Sequence, residues 1–311
     1  MVEALHYHAG QIAVQEEART RIVADKLAGW HGPIAEFASE ADVILLATAD
    51  GQGALRVATL WGPPPLAEAT ADGALRLAFP AGGPAPDGGP CGGLVVNFEA
   101  ARRARVNGML RAGDGMLIIE PTETFTLCKK YVAPSVATEP VVASGPAGRT
   151  AMWLDDPACA ALFARAETVF LLSFAPGGGP DVAHRGGPPG FVTLDAEAGT
   201  VRWAEFLGDG VFKSAGNVRA TGRFTLFVPD LDTGDGLEFI CRDATYTNTR
   251  GARFDREDAL IQHRESFPVQ GYIEAKVERI DRLEAVYPRR ARIAAIKKVT
   301  SRSTIPAQSP L

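Results

Sequence analysis

Apolar and polar positions alternate in short blocks along this chain, and turn residues punctuate them every few positions. Val43 to Thr48 is an apolar run that reads as a buried strand. The turn Ala49 to Gly53 follows, then a second strand from Leu55 to Trp61 that stops at Gly62-Pro63-Pro64-Pro65. Ala74 to Phe79 is the next strand, residues 80–93 are a Gly/Pro loop, and Leu94 to Val96 is a short strand. Phe98 to Arg105 has helix-forming composition, Asn107-Gly108 reads as a turn, and Met116 to Glu120 and Thr122 to Cys128 complete the first half. Ahead of these lie two short helical stretches. One carries Ile12, Val23 and Leu27 on one side, and the other runs from Ile34 to Ala41.

The second half repeats the pattern. Val169 to Phe174 matches Val43 to Thr48, and Val182 to Arg185 running into Gly186–Gly190 matches Val57 to Leu60 running into Trp61–Pro65. Thr200 to Ala204 matches Ala74 to Ala78, at an offset that stays near about 126 residues. Phe212 to Ala220 is then expected to match Phe98 to Val106. Thr225 to Val228, Leu237 to Tyr246 and the long run Val269 to Ile280 are further strands, and residues 247–265 are charged and helix-like. The domains implied are 1–135 and 150–290, joined by a polar Pro/Gly linker around 133–157 and followed by a basic tail, 291–311, read as a solvated helix and frayed end. The fold class is mainly β with short helices, in the manner of a β-barrel or α+β protein.

Composition narrows the function. With 311 residues, 46% hydrophobic and 22% charged, the chain is that of an ordinary globular protein with two domains. A net charge of −5 speaks against nucleic acid as a partner. Cys91, Cys128, Cys159 and Cys241 have neither disulfide-framework nor zinc-site spacing and fit a reducing cytoplasm. The opening Met1 to His8 has no signal-peptide character, and no apolar run reaches the ~20 residues of a membrane helix. No metal-ligand spacing, Walker loop or Ser/His/Asp arrangement is present.

Candidate chemistry concentrates between Asp181 and Asp195. His184 and Arg185 stand where a strand enters the turn Gly186-Gly187-Pro188-Pro189-Gly190. A guanidinium there can form two parallel bonds to a phosphate, and glycines let a backbone approach a ligand. About thirty residues on, Gly208 to Asn217 adds Lys213, Ser214 and Asn217, all suited to an oxygen-rich anion. Taken locally, this is also what a plain Gly/Pro hairpin looks like. The string H-R-G-G-P-P-G-F-V followed by G-D-G-x-F-K-S-x-G-N resembles the FMN-binding half of proteins related to pyridoxamine 5'-phosphate oxidase. Cys128-Lys129-Lys130-Tyr131-Val132 resembles a C-x-K-Y-[IV] run of longer, tandem members of that family; its Cys is read as packing.

The resemblance implies two tandem split barrels forming a pseudo-dimer, with FMN between them. His184, Arg185, Gly186, Gly187, Lys213, Ser214, Asn217 and Arg242 would hold the cofactor. The first copy has Thr59 and Leu60 in place of His184 and Arg185, so its own anion site is expected to be lost. Arg102, Arg103 and Arg105 would either reach across to the cofactor or form a solvated helix face, the latter being the ordinary expectation. His6 and His8 are read as capping or hydrogen-bonding groups. The implied activity is an FMN-dependent oxidoreductase acting on a small molecule, with NAD(P)H or a separate electron carrier as donor. A non-catalytic flavin- or haem-binding protein is the alternative. The repeat would satisfy barrel pairing within one chain, or two chains would still associate as a homodimer.

Overall fold

The computed structural model describes residues 6–21, 39–62, 65–78, 86–97, 102–113, 116–127, 131, 136–141, 148–249, 268–287 and 289–292. Strands β1 (Val43–Ala49), β2 (Leu55–Trp61), β3 (Ala67–Ala69), β4 (Leu75–Ala78), β5 (Gly89–Asn97), β6 (Arg102–Gly113) and β7 (Met116–Thr126) form one antiparallel sheet in the order β2-β1-β5-β6-β7-β4-β3. After β8 (Val136–Val141) and β9 (Gly148–Met152) come β10 (Thr168–Phe174), β11 (Pro180–Gly186), β12 (Val192–Asp195), β13 (Thr200–Phe206), β14 (Phe224–Pro229), β15 (Gly236–Asn248) and β16 (Val269–Glu284). Their order is β11-β10-β14-β15-β16-β13-β12, the same order as in the first sheet, with β9 added beside β16. The matches read between β1 and β10, β2 and β11, and β4 and β13 are thus present, whereas the expected match of 98–106 with 212–220 is not: 102–106 is strand and 213–220 is helix. β17 (Arg289–Arg292) pairs with β8. The helices among the described residues are α1 (Ala9–Glu17), α2 (Pro157–Arg165) and α3 (Lys213–Thr221).

Alternation along β1 and β10 explains why both runs are wholly apolar. Ile44 and Leu46 enter the core of the first sheet, with Leu75, Val95, Val106 and Ile119. Val169 and Leu171 enter the core of the second, with Trp203, Leu226, Phe239 and Ile273. The opposite faces meet each other: Val43, Leu45, Leu94 and Val96 pack with Phe170, Leu172, Val182 and Phe227 in a third cluster. Two sheets so joined bury both faces of β1 and β10, which removes the usual in/out alternation from their sequence. Helices α2 and α3 close the second core with Cys159, Leu162, Phe163, Ala215 and Val218.

Several expected elements take another form. Residues 102–105 are strand, not helix, while 98–101 lie outside the described residues. Ala104 and Val106 point into the first core, and Arg103 and Arg105 are buried on the other face. The period of two is genuine but is written in arginines, which helix propensity counts as good formers. Asn107-Gly108 is a bulge within β6–β7 rather than a turn. Of the supposed loop 80–93, residues 89–93 belong to β5. The supposed linker holds β8 and β9. Arg289–Arg292 is paired strand, and 293–311 lie outside the described residues, as do Val23, Leu27, 34–38, Cys128 to Lys130 and 250–267.

α1 ends at Glu17 and buries Gln11, Val14 and Gln15, not Ile12. It packs on α3, and Val14 and Ala18 join the second core, so by contact the N-terminal helix belongs with the second half. His8 caps it: its Nδ1 accepts from the Gly10 N–H at 3.1 Å, and Gln11 completes a capping box. No helix among the described residues is long and apolar enough to cross a membrane.

Phe170 sits at the centre of the contact between the halves, fully buried against Phe227 and Tyr287. Phe170→Ala is expected to cost about 3–5 kcal/mol, read as a lower urea midpoint for the whole chain.

Candidate functional site

The cleft lies where the two halves meet, and both build it. From the first half come Arg103 and Arg105 on β6, Phe125 on β7, and Leu127 and Tyr131 beyond it. From the second come His184, Arg185 and Gly186 on β11, Ala204, Glu205 and Phe206 on β13, residues 208–213 leading into α3, and Gln270. The order of strands dictates this meeting: β11 is an edge strand of its sheet and lies against β5 and β6 of the other.

The cleft is lined by cationic and apolar side chains together. Arg103, Arg105, Arg185 and Lys213 line it together with Phe125, Leu127, Tyr131, Phe206, Val211 and Phe212. The Arg105 guanidinium carbon lies 5.2 Å, and Lys213 Nζ 5.8 Å, from the centre of the Phe125 ring. Three of these cations also have an acid. Arg105 pairs with Asp181 at 3.0 Å, Arg185 Nε donates to Glu205 at 2.6 Å, and Lys213 reaches Glu123 across the halves. Glu205 in turn accepts from the Trp203 indole N–H at 2.7 Å, which holds the carboxylate in place.

α3 opens onto the same space. Its N-cap, Phe212, has φ of 53°, left-handed for a bulky residue, and offers no side-chain cap. The first N–H groups of the helix therefore have no oxygen from an N-cap side chain, and the helix begins at Lys213, which lines the cleft.

His184 is 6% exposed. Arg103 donates to its Nδ1, and because a guanidinium is always a donor the imidazole proton must sit on Nε2. That Nε2 is buried and has no hydrogen-bond partner among the described residues. Burial first, and then the charges of Arg103 and Arg185, hold the His184 pKa well below the ordinary 6.5. It is a neutral donor waiting for an acceptor.

The expected site residues divide into two groups. His184, Arg185, Gly186 and Lys213 line the cleft. Ser214 stands behind it, donating to Asp181 at 3.3 Å and receiving Arg105 at 3.4 Å. Asn217 is fully buried and ties helices together: it accepts from His8 Nε2 at 2.8 Å and Gln11 Nε2 at 2.9 Å, and donates to Ser173 at 3.0 Å. Gly187 faces Phe191 and Phe206 rather than the cleft. Arg242 does not line the cleft; it is exposed on β15 and pairs with Asp243 at 2.7 Å, next to a shift of register in the pairing with β16. Arg102 pairs with Glu40 at 2.9 Å.

Arg103 and Arg105 reach across, contrary to the solvated-face expectation. Their correspondence to Asn217 and its neighbours also fails, since α3 precedes β14 whereas Arg103 lies on β6, the counterpart of β15. The alternation Arg103-Ala104-Arg105-Val106 was the available signal. Tyr131, whose motif had no assigned role, packs its carbonyl against Gly186 and donates its hydroxyl to Leu207 O at 3.1 Å. At the place related by the repeat, the first half's β2 meets Glu238 and Asp281, both fully buried, so carboxylates stand where this cleft has Arg105 and Phe125. Among the described residues, no group of three or more His, Cys, Asp or Glu is arranged to hold a metal.

No family model matches the chain, and no curated protein sequence matches it. Among solved structures it is similar to HupZ of Group A Streptococcus (18% identity, 42% of this chain and 94% of that chain, TM-score 0.29). It is also similar to an F420 reductase (13%, 39% and 93%, TM-score 0.26) and to a FAD-binding protein from Mesorhizobium loti (14%, 44% and 97%, TM-score 0.27).

Two outcomes test this geometry. A Cβ at Gly186 would lie 1.8 Å from the Tyr131 carbonyl oxygen. Gly186→Ala should therefore destabilise the fold by about 1–3 kcal/mol, seen as a lower melting temperature. The unfolded chain takes up a proton at His184 below about pH 6.5 and the folded chain does not. Stability should accordingly fall as pH drops below that value, by up to about 1.4 kcal/mol per pH unit from this group. Urea midpoints at about pH 7.5 and 5.5, compared between wild type and His184→Gln, should show the variant losing that part of the slope.

Proposed function

We propose that this chain is a flavin-binding split-barrel protein, that its flavin is FMN, and that it is an oxidoreductase acting on a small molecule. The observation that carries the reading is the cleft between the halves, whose lining is both cationic and apolar. A flat ring with a phosphate tail needs apolar contacts and cations, and this lining supplies both. Arg185, Lys213 and the uncapped start of α3 would hold the phosphate. Phe125, Leu127, Phe206 and Phe212 would face the ring. His184 Nε2–H, buried and without an acceptor, would donate to a ring or phosphate oxygen. The donor set fits the group on two further counts: the partners of the cations are acids that an anion can replace, and an orphaned buried donor marks a place for an acceptor.

A bound flavin would supply hydride and electron transfer, for which the protein provides orientation and electrostatics. His184, fixed as a neutral imidazole, would keep one donor at a constant charge. Arg103 holds its tautomer, and the apolar side chains of the lining would exclude water from the ring. The likeness in the H-R-G-G-P-P-G-F-V and G-D-G-x-F-K-S-x-G-N strings supports the same reading.

Adding FMN to the purified chain should quench flavin fluorescence at one site per chain. Loss of two charge-assisted bonds, at about 1.5–3 kcal/mol each, should make Arg185→Ala/Lys213→Ala bind at least a hundredfold more weakly. A chain that takes up no FMN overturns the reading. Bound FMN that NAD(P)H and low-potential carriers cannot reduce would make the protein a flavin binder and not an enzyme.

A further inference from the structure

The two halves meet through buried ion pairs whose signs are exchanged. In the first half Leu45 pairs with Leu94 and Leu94 with Arg105; in the second, Phe170 pairs with Phe227 and Phe227 with Glu238. Arg105 and Glu238 therefore occupy one position of the repeat. Likewise Thr48 pairs with Arg56, and Ser173 with Asp181, so Arg56 and Asp181 share another. Each position reaches across to the other one on the opposite half. Arg105 meets Asp181 at 3.0 Å, and Glu238 meets Arg56 at 2.8 Å. The geometry is that of a two-fold interface, in which position i contacts j and j contacts i. The first half carries arginine at both positions and the second carries a carboxylate at both.

We propose that this exchange is a pairing code that lets each half recognise the other and reject a copy of itself. Two first halves brought together this way would set Arg105 against Arg56. Two second halves would set Glu238 against Asp181. Both contacts are like-charged and buried, where screening by water is small. Three of these four charges also have partners on their own half. Asp281, also fully buried, lies beside Glu238 and receives Arg56 at 2.8 Å, with Arg149 and Arg279 adjoining. Asn107 and Ser214 donate to Asp181, and Arg56 also pairs with Asp50. The partner that fits the apolar face of β1, β2 and β5 is thus the face of β10, β11 and β14 and not a second copy of the same face.

The test is a sign rearrangement in the full chain, read by sedimentation mass and melting temperature against wild type. Arg56→Asp with Asp181→Arg makes both intramolecular contacts like-charged, while each half becomes complementary to a copy of itself. This double variant should melt roughly 10 °C or more lower and shift to at least twice the wild-type mass. Adding Arg105→Glu and Glu238→Arg restores opposite charges within the chain with every sign reversed. The quadruple variant should regain the wild-type mass and most of the lost melting temperature. A double variant with wild-type mass and melting temperature overturns the proposal. So does a quadruple variant no better than the double.

Discussion

Everything in this fold follows from β1 and β10 having no face to show to water. Each strand lies inside its own sheet and also against the other sheet, so neither half can bury its apolar surface alone. The cluster that joins them, with Phe170, Phe227 and Tyr287 stacked against Leu45, Leu94 and Val96, is in effect a third core made by the first two. Burial on that scale is non-directional. What gives it direction is polar: Arg56 on Glu238 and Asp281, and Arg105 on Asp181. A buried pair of this kind adds little to stability when whole but costs several kcal/mol when one partner is lost.

The cleft is a by-product of the same packing. Once β11 lies across β5 and β6, the residues at its end face β6 and β7 of the other half, and a cavity with two owners results. Arg105 serves both roles, since it pairs with Asp181 in the interface and lines the cleft with its guanidinium over Phe125. Site and interface cannot vary separately there. The asymmetry of the repeat has the same root: at the related place Glu238 and Asp281 are buried and take Arg56 as their partner from the other half.

Buried polar contacts hold the elements that line the cleft. Asn217 draws α1 onto α3 through His8 and Gln11, and Gln15 Nε2 donates to Val211 O at 2.7 Å, which steadies the loop ahead of α3. Trp203 and Arg185 converge on Glu205 from two strands. In the motif G-D-G-x-F-K-S-x-G-N the lysine thus faces the cleft while the serine and asparagine hold the helix that presents it.

From the sequence alone, the strands, the internal repeat and the cluster His184, Arg185, Gly186 and Lys213 were legible, because period-two patterning, turn chemistry and a local motif are all short-range signals. The cap at His8 was legible for the same reason. The arginines of β6 were not, since a strand that alternates arginine with alanine and valine scores as helix until the opposite sheet supplies Asp181 and His184 as partners. Nor could the sequence separate Asn217 from Lys213 or exclude Arg242, because which side of a helix or bulged strand meets the cleft is set by contacts between residues more than 200 positions apart. Local pattern determined what each segment is; only tertiary packing decided which charges face one another.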